Sequence, residues 1–149
     1  MDVVEIFVRL GPEHVAKVAA VERDSFTLSW STDDLRALLE DEGVICIGLF
    51  IESALVAYGL GYVEQEHFHL ASMAVAPAFR RRGIGGALLR RILQEVEARG
   101  CRRCTLEVRV GNRAARKLYD RAGFSPVRQM GDYYDNPKED GLELALVIG

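Results

Sequence analysis

The sequence predicts a single-domain α/β (α+β) fold in which helices pack on a mixed β-sheet. Of the 149 residues, 49% are hydrophobic and 28% are charged, the balance of a globular domain with a buried core. No linker, repeat or low-complexity segment interrupts residues 1–149, which favours one domain. The periodic segments follow the order β-α-α-β-β-β-α-β-α-β-β. Three consecutive strands before the first β-α-β unit exclude a plain doubly wound sheet.

The first half of the chain is predicted to hold four strands and two helices. Gly11-Pro12 begins the first helix, because proline suits a first helical turn. Ser31, with Asp34 three residues later, resembles a capping box for the second helix, which Gly43 ends. Glu52-Ser53 has the spacing of a hairpin turn. The predicted elements are a strand at 4–10, a helix at 12–24, a helix between 31 and 43, and strands at 44–51, 54–63 and 67–76.

The second half is predicted to alternate helices with strands before a final pair of strands. Apolar residues recur at helical spacing from Ile84 to Val96, and Gly100 ends that helix. A second apolar face, around Leu118, predicts a helix that Gly123 ends. Strands are predicted at 103–110, 124–131 and 142–148, the last two separated by a polar loop.

Charge is distributed unevenly along the chain. The net charge is −9 over residues 1–77, +10 over residues 78–128 and −4 over residues 129–149. A basic central third in an acidic protein predicts a local anionic ligand rather than a nucleic-acid partner, with a solvated arginine surface as the alternative. No segment is long and apolar enough to cross a membrane, no leader is recognisable, and three cysteines suit a reducing compartment. We therefore expect a cytoplasmic protein without a membrane partner.

A basic, glycine-rich loop joins the strand at 67–76 to the following helix. Such a turn directs unpaired backbone N–H groups and the positive helix end at one spot, as phosphate binding requires. It does not match the Walker pattern, because no Gly-Lys-Ser/Thr follows, and it does not match the dinucleotide fingerprint, because the glycine spacing differs and no second alternating β-α unit precedes it. A tight turn with solvent-facing arginines is the alternative. The residues of the loop are Arg80, Arg81, Arg82, Gly83, Gly85 and Gly86.

The loop resembles a known family. Arg80-x-x-Gly83-x-Gly85, after a strand ending in Ala74-Val75, is similar to the acyl-CoA pyrophosphate signature of the GNAT (Gcn5-related) N-acetyltransferases. Leu106-Glu107-Val108-Arg109-x-x-Asn112, with Leu118-Tyr119 and Gly123-Phe124 after it, resembles the N-alpha-acetyltransferases of the RimI type. Those enzymes acetylate the N-terminal alanine of a small-subunit ribosomal protein. The resemblance covers essentially the whole chain.

The resemblance also extends to two segments on the expected substrate side. Ser25-Phe26-Thr27-x-x-Trp30-Ser31 agrees with the family pattern, and so does Tyr133-Tyr134 followed by Glu139-Asp140-Gly141. Ser29 departs from the pattern, because proline is common there before the tryptophan. The loop at 135–138 is longer than expected. The fold that the resemblance implies has a mixed, mostly antiparallel sheet of six or seven strands with a splayed parallel pair, flanked by about four helices.

The resemblance implies acetyl-CoA as cofactor, with CoA as product. In the family, the pantetheine arm pairs with the free edge of a central strand like an added β-strand. A backbone N–H of Met73 or Val75 would hold the developing oxyanion. The residues that the resemblance places at the cofactor are Met73, Ala74, Val75, Arg80, Arg81, Arg82, Gly83, Gly85, Gly86, Asn112 and Tyr119.

Glu107 and Tyr119 are the expected catalytic residues. Glu107 lies on an otherwise apolar strand, where a carboxylate needs a polar partner, and it is the candidate base for the amine. A structural salt bridge from Glu107 to Arg109 or another arginine is the alternative. The resemblance places Tyr119 to protonate the leaving thiolate. Packing of Tyr119 in the core is the alternative for that residue.

The remaining polar and aromatic residues are assigned either to the substrate site or to a structural role. An aromatic wall around a peptide N-terminus is expected from Phe26, Trp30, Tyr133 and Tyr134, with core filling as the alternative. His67 and His69 alternate on one strand and are interpreted as a surface pair. Cys101 and Cys104 have no second ligand pair, so no metal site is predicted.

The resemblance therefore implies an acetyl-CoA-dependent N-acetyltransferase that acts by direct attack of a protein N-terminal α-amine, with a ribosomal protein as the favoured substrate. A small-molecule amine or a lysine side chain is the first alternative. A non-catalytic acyl-CoA-binding module is the second, and the presence of Glu107, Asn112 and Tyr119 in one chain opposes it. We expect a monomer or a weak homodimer.

Overall fold

One mixed sheet organises the computed structural model, which describes residues 4–25 and 30–149. The element order is the predicted one, with short 3₁₀ turns at Pro12–His14 and Pro77–Phe79. The strands and helices are β1 Glu5–Arg9, α1 Val15–Arg23, α2 Thr32–Glu40, β2 Val44–Ile51, β3 Ala54–Glu64, β4 His67–Val75, α3 Ile84–Ala98, β5 Arg103–Arg109, α4 Arg113–Arg121, β6 Ser125–Tyr134 and β7 Glu139–Val147.

The predictions for the Ser31 cap and the Glu52-Ser53 turn are confirmed, whereas α2 ends at Glu40, before Gly43. The Ser31 hydroxyl accepts a hydrogen bond from the Asp34 N–H at 3.1 Å and so caps α2. Glu52 and Ser53 have φ of 49° and 73°, as the two-residue turn of the β2–β3 hairpin requires.

The last two strands are longer than predicted. They extend to Tyr134 and back to Glu139, so the polar loop between them is only residues 135–138. Most residues of β6 are exposed, and an edge strand with polar residues on both faces lacks the apolar alternation that marks a strand in the sequence.

The parallel pair lies at the centre of the sheet. The strand order is β1-β2-β3-β4-β5-β7-β6, and every neighbouring pair is antiparallel except β4 and β5. This confirms the predicted mixed sheet of seven strands with four α-helices. Pairing between β4 and β5 covers only residues 67–69 and 103–105. Beyond those residues the two strands diverge, and a gap opens between their carboxyl ends.

Two apolar layers cover the two faces of the sheet. On one face α3 and α4 bury residues such as Leu88 and Tyr119 against β2 to β5 and β7. Gly59 of β3 lets α3 approach closely, since a Cβ there would collide with Ile92. On the other face α1 and α2 bury Val18 and Leu35 against β2, β3 and part of β4. No described helix is both long and apolar enough to span a bilayer.

A β-bulge in β4 exchanges the two faces of that strand. Leu60 of β3 pairs with Ser72 and Gly61 pairs with Leu70, which leaves Ala71 as an extra residue. Before the bulge, Leu70 packs in the layer with α3, whereas after it Ala74 packs in the layer with α1 and α2. The side chains of odd-numbered residues therefore change sides along this strand.

Candidate active site

A groove of about 1680 Å³ opens where β4 and β5 diverge, between α3 and α4. Its wall carries basic side chains from the loop after β4 and from α4. Of the residues predicted to contact the cofactor, Arg82 and Tyr119 do not line the groove. Those that do are Met73, Ala74, Val75, Arg80, Arg81, Gly83, Gly85, Gly86 and Asn112.

The edge of β4 offers backbone groups to this gap. The Ala76 N–H donates to Val56 O at 2.7 Å, so Ala76 and, two residues earlier, Ala74 direct their polar backbone groups toward β3. By the same alternation, Met73 and Val75 direct theirs away from β3, toward the gap. The Val75 carbonyl accepts a hydrogen bond from Arg80 Nε at 2.9 Å. The N–H groups of Met73 and Val75 are thus the strand donors that face the gap.

The start of α3 forms the basic end of the groove. Gly83 precedes the helix with φ of 77°, a left-handed conformation that glycine adopts without strain. The first N–H groups of a helix have no intrahelical acceptor, so those of Ile84, Gly85 and Gly86 are available to an anion. A Cβ on Gly85 would lie 2.7 Å from Leu118 Cδ1, so glycine permits the close approach of α3 and α4.

The arginines of the loop are placed differently from one another. Arg80 is braced by its bond to Val75 O and by a second bond, from Nη2 to Ser25 Oγ, at 3.2 Å. Arg81 has φ of 64° and lines the groove. The Arg82 guanidinium lies over the Phe79 ring, 5.2 Å from its centre, and Arg82 itself does not line the groove. Arg80 and Arg81 therefore line the groove, as expected for residues at the cofactor, whereas Arg82 does not.

Asn112 is first of all a helix cap. Its Oδ1 accepts the Ala115 N–H at 3.1 Å and begins α4. Only the side-chain amide nitrogen is then left to donate to a ligand in the groove.

Glu107 lies on the face of the sheet opposite the groove. Its neighbours Leu106 and Val108 point into the core with α3 and α4, so the Glu107 side chain points the other way, where it is 25% exposed. Its Oε2 lies 2.8 Å from Nε2 of His69 on β4. The alternative of a salt bridge from Glu107 to Arg109 is wrong, because Arg109 pairs with Glu139.

The interpretation of His67 and His69 as a surface pair is also wrong. The His69 side chain is only 17% exposed, and its Nδ1 lies 2.9 Å from Thr105 Oγ1. The same hydroxyl lies 2.6 Å from His67 Nε2. Four side chains of β4 and β5 thus form one hydrogen-bonded chain that ends on the Glu107 carboxylate. These hydrogen bonds join residues of the paired stretches of β4 and β5, 67–69 and 103–105, to Glu107, the next residue of β5 on the same face of the sheet.

Tyr133 and Tyr134 lie beside the same carboxylate. Their rings pack edge to face at 4.9 Å. Burial and the nearby Glu107 carboxylate raise the pKa of Tyr133. Burial, then Tyr133 and Glu107, raises the pKa of Tyr134 to about 12. Both hydroxyls are therefore protonated donors at neutral pH.

Trp30, a third aromatic residue of the expected wall, is placed differently from the two tyrosines. Trp30 packs against the layer formed by α1 and α2, and its backbone N–H donates a hydrogen bond to Glu22 Oε1 at 3.0 Å. Burial raises the pKa of Glu22, a buried carboxyl group that the sequence did not single out. Phe26 lies outside the described residues.

Tyr119 is a buried member of the core. It is 8% exposed and packs edge to face on Phe124 at 5.7 Å. Burial, with Cys104 and Tyr134 nearby, raises the pKa of Tyr119 to about 12, so its hydroxyl keeps its proton at neutral pH.

Arg109 fastens the long loop at 135–138, a feature that the sequence did not reveal. Its Nη2 donates to Asp135 O at 2.9 Å and its Nη1 to Pro137 O at 2.8 Å. The guanidinium also lies 4.5 Å from the centre of the Tyr134 ring. Glu139 completes the arrangement, since it pairs with Arg109 and accepts the Gly111 N–H at 2.6 Å. The loop is therefore held against the carboxyl end of β5.

Comparisons with known proteins agree with this geometry. Residues 15–124 match the acetyltransferase (GNAT) family. The chain is 31% identical over 128 residues to the ribosomal protein bS18-alanine N-acetyltransferase of Escherichia coli strain K12, which covers 86% of this chain and 84% of the relative. The crystal structure of the ribosomal-protein-S18-alanine N-acetyltransferase from Escherichia coli aligns with a TM-score of 0.92 and 27% identity, over 98% of this chain and 95% of that chain.

A more distant structure shares the fold. Arabidopsis thaliana NAA60 in complex with acetyl-CoA aligns with a TM-score of 0.86 and 16% identity, over 97% of this chain and 99% of that chain. The family match spans most of the chain and includes Glu107 and most of the residues that line the groove. The chain therefore belongs to the acetyltransferase (GNAT) family and is an acetyltransferase.

Proposed function

We propose that this enzyme transfers an acetyl group from acetyl-CoA to the N-terminal α-amine of a protein, and that the substrate is a ribosomal protein in the cytoplasm. The observation that carries the proposal is the 31% identity, over 86% of the chain, to an enzyme named for acetylating the alanine of ribosomal protein bS18. The positions of the groove and of Glu107 on opposite faces of the sheet support it, since two substrates need two approaches.

The groove fits the proposed donor. An elongated anionic ligand requires length, positive charge and backbone donors, and the groove has Arg81, Arg90 and Arg116 on its wall as well as the N-terminus of α3. Gly83 leaves this end open, because no described atom lies within 4 Å of the position that a Cβ would take. When bound there, acetyl-CoA would supply an activated acetyl group as a thioester.

Glu107 is the proposed base. An amine must lose a proton to become an amide nitrogen, and a carboxylate at the acceptor side can take it directly or through a water molecule. An α-amine has an ordinary pKa of about 7.7 to 8.0, whereas that of lysine is about 10.4, so an N-terminus is more often unprotonated at neutral pH. One carboxylate is therefore sufficient help for an α-amine.

Two further groups are proposed for the acyl side. The N–H groups of Met73 and Val75, which face the gap, would stabilise negative charge on the carbonyl oxygen. Tyr119 would give a proton to the departing sulfur, a role that suits a phenol that stays protonated at neutral pH. Its burial between α4 and the sheet puts it on the groove side, opposite Glu107.

A panel of amines tests the proposed substrate class. Thiol release from acetyl-CoA would be measured with peptides of one sequence that begin with Ala, Ser or Met, with an acetyl-blocked peptide that carries an internal lysine, and with spermidine. We expect turnover of the free N-termini, with alanine preferred. Turnover of spermidine or of the blocked peptide alone would contradict N-terminal acetylation. Binding of acetyl-CoA without turnover of any amine would favour the non-catalytic module.

A further inference from the structure

We propose that His69 is a positioning residue for the reaction, and that Thr105 and His67 hold it so that its Nε2–H is directed at the Glu107 carboxylate. The inference rests on the proposed role of Glu107 as the base. It concerns how that carboxylate is oriented.

The geometry comes from the short parallel pairing of β4 and β5. His69 is paired with Thr105, and Glu107 is the next residue of β5 on the same face. The three contacts, Glu107 Oε2 to His69 Nε2, His69 Nδ1 to Thr105 Oγ1, and Thr105 Oγ1 to His67 Nε2, measure 2.8, 2.9 and 2.6 Å. Thr105 is buried, so its hydroxyl depends on these two rings for its partners.

The direction of the hydrogen bonds follows from the chemistry of each group. A carboxylate only accepts, so His69 Nε2 must carry a hydrogen and donate it. In a neutral imidazole the other nitrogen then accepts, so the Thr105 hydroxyl donates to His69 Nδ1 and takes its own hydrogen bond from His67 Nε2. Burial, with His69 and Arg103 nearby, lowers the pKa of His67, so that ring is neutral at pH 7.

Every donor in the chain therefore points toward Glu107. When Glu107 has accepted a proton from the amine, that proton cannot pass to His69, because Nε2 already carries one. Outward transfer would first require both rings to change tautomer and the hydroxyl to turn. The arrangement thus suits orientation and stabilisation of the carboxylate rather than conduction of protons. It also fixes one oxygen and leaves Oε1 outside this chain.

Other charged and titratable groups surround the chain on this face. Tyr62 of β3 packs on the His69 ring at 5.3 Å between centroids. Tyr133 lies beside Glu107, and Arg128 of β6 pairs with Glu143 of β7 at 3.6 Å. Besides His69, the charged groups close enough to influence the pKa of His67 are Glu64, Arg103 and Glu143. Because all of these residues can influence the pH dependence of the reaction, variants of His69 must be compared at several pH values.

The test compares His69→Phe with His69→Gln, assayed with acetyl-CoA and the alanine peptide from pH 6 to 9. Phenylalanine keeps the ring against Tyr62 but removes the donor, whereas glutamine puts an amide N–H near the position of Nε2. We expect His69→Phe to lower kcat by about 10- to 100-fold, the range typical of groups that orient a reacting residue. The KM for acetyl-CoA should not change, and the acidic limb of kcat/KM should move to higher pH. His69→Gln should lose less.

Thr105 provides a second pair of variants in case His69→Phe does not fold. Serine keeps the hydroxyl at this position and valine removes it while keeping the shape, so Thr105→Val should lower kcat more than Thr105→Ser. His14→Gln, in the 3₁₀ turn before α1, is the matched control because His14 is not part of this hydrogen-bonded network. Its kcat should equal that of the wild type. Equal activity of Thr105→Val and Thr105→Ser, or of His69→Phe and His69→Gln, would overturn the inference.

A double-mutant cycle separates this inference from the proposed function. If His69 acts through Glu107, then His69→Phe should cause little further loss in a Glu107→Gln background. If Glu107→Gln is as active as the wild type, the proposed base is wrong and the inference falls with it. A large loss in Glu107→Gln with wild-type kcat and pH profile in His69→Phe would leave the base in place and overturn only the role of His69.

Discussion

The groove beside α3 and the carboxylate network on the opposite face of β4 and β5 are built from different parts of the chain. The groove uses backbone N–H groups and glycines that are close together in sequence, from Met73 to Gly86. The network uses side chains that meet only because two strands pair, with His69 and Thr105 separated by 36 positions. A basic groove can therefore be built largely from local backbone, whereas proton chemistry requires particular side chains.

The largest expected effect is on the carboxylate. Glu107→Gln keeps the shape of the side chain but cannot accept the proton of the amine, so kcat should fall by roughly 10²- to 10⁴-fold. Acetyl-CoA affinity, measured by calorimetry, should stay the same because the groove lies on the other face. Glu97→Gln is the matched control, since Glu97 is an exposed carboxylate near the end of α3, away from both the groove and the network, and should leave kcat near the wild-type value. A parallel loss of acetyl-CoA affinity would show that the two faces are not independent.

Tyr119→Phe should have the next largest effect. It removes only the hydroxyl from a buried ring, so kcat should fall by about 10²-fold while acetyl-CoA still binds. Tyr58→Phe is the control: that buried tyrosine bonds to Ser72 at 2.9 Å, and its loss should lower thermal stability but not kcat. If Tyr119→Phe turns over normally, the ring serves only the core.

A substitution in the backbone site should act on binding rather than on kcat. Gly83→Val forces a β-branched residue into φ of 77°, which costs about 1–2 kcal/mol in the left-handed region and disturbs the N–H groups at the start of α3. We expect the KM for acetyl-CoA to rise about ten-fold, the ratio that 1.4 kcal/mol produces. Gly131→Val, on β6, should leave that KM unchanged. A fall in kcat alone would contradict the assignment of this loop to binding.

The smallest expected effect is on the loop at 135–138. Arg109→Ala removes two hydrogen bonds to carbonyls and the pair with Glu139, so the loop and Tyr134 lose their anchor. The KM for the alanine peptide should rise by less than about ten-fold, with the KM for acetyl-CoA unchanged. Arg102→Ala breaks an exposed pair with Glu66 elsewhere and should change neither constant. An effect on acetyl-CoA instead would place the loop on the donor side.

The sequence was most informative where structure is local. Ser31 and Asp34 predicted the start of α2, and the glycines and arginines after β4 predicted the basic end of the groove, because caps and turns depend on neighbouring residues. The order of helices and strands along the chain followed from the spacing of periodic segments. The lengths of β6 and β7 did not, because their pairing depends on backbone hydrogen bonds that leave no apolar pattern.

The side-chain site was only half predictable. Glu107 could be identified because a carboxylate on an apolar strand is unusual, but its partner could not. The residue that faces Glu107 is determined by the register of β4 against β5 and by the bulge at Ala71. Neither can be predicted from the local sequence. Two alternating pairs, His67 with His69 and Thr105 with Glu107, are the signal that was present, once the strands are known to be parallel neighbours.

The extra residue in β4 makes one strand serve two compartments. Upstream of Ala71 the side chains of His67 and His69 lie on the face with Glu107, the proposed acceptor side, and downstream those of Met73 and Val75 lie on the face with α3 and the groove proposed for the donor. Deletion of Ala71 would restore strict alternation and exchange the faces of every residue on one side of it. The separation of the two proposed reactants on opposite faces of β4 thus depends on one inserted residue rather than on any reactive group. Its deletion would abolish that separation and leave every functional side chain in the sequence.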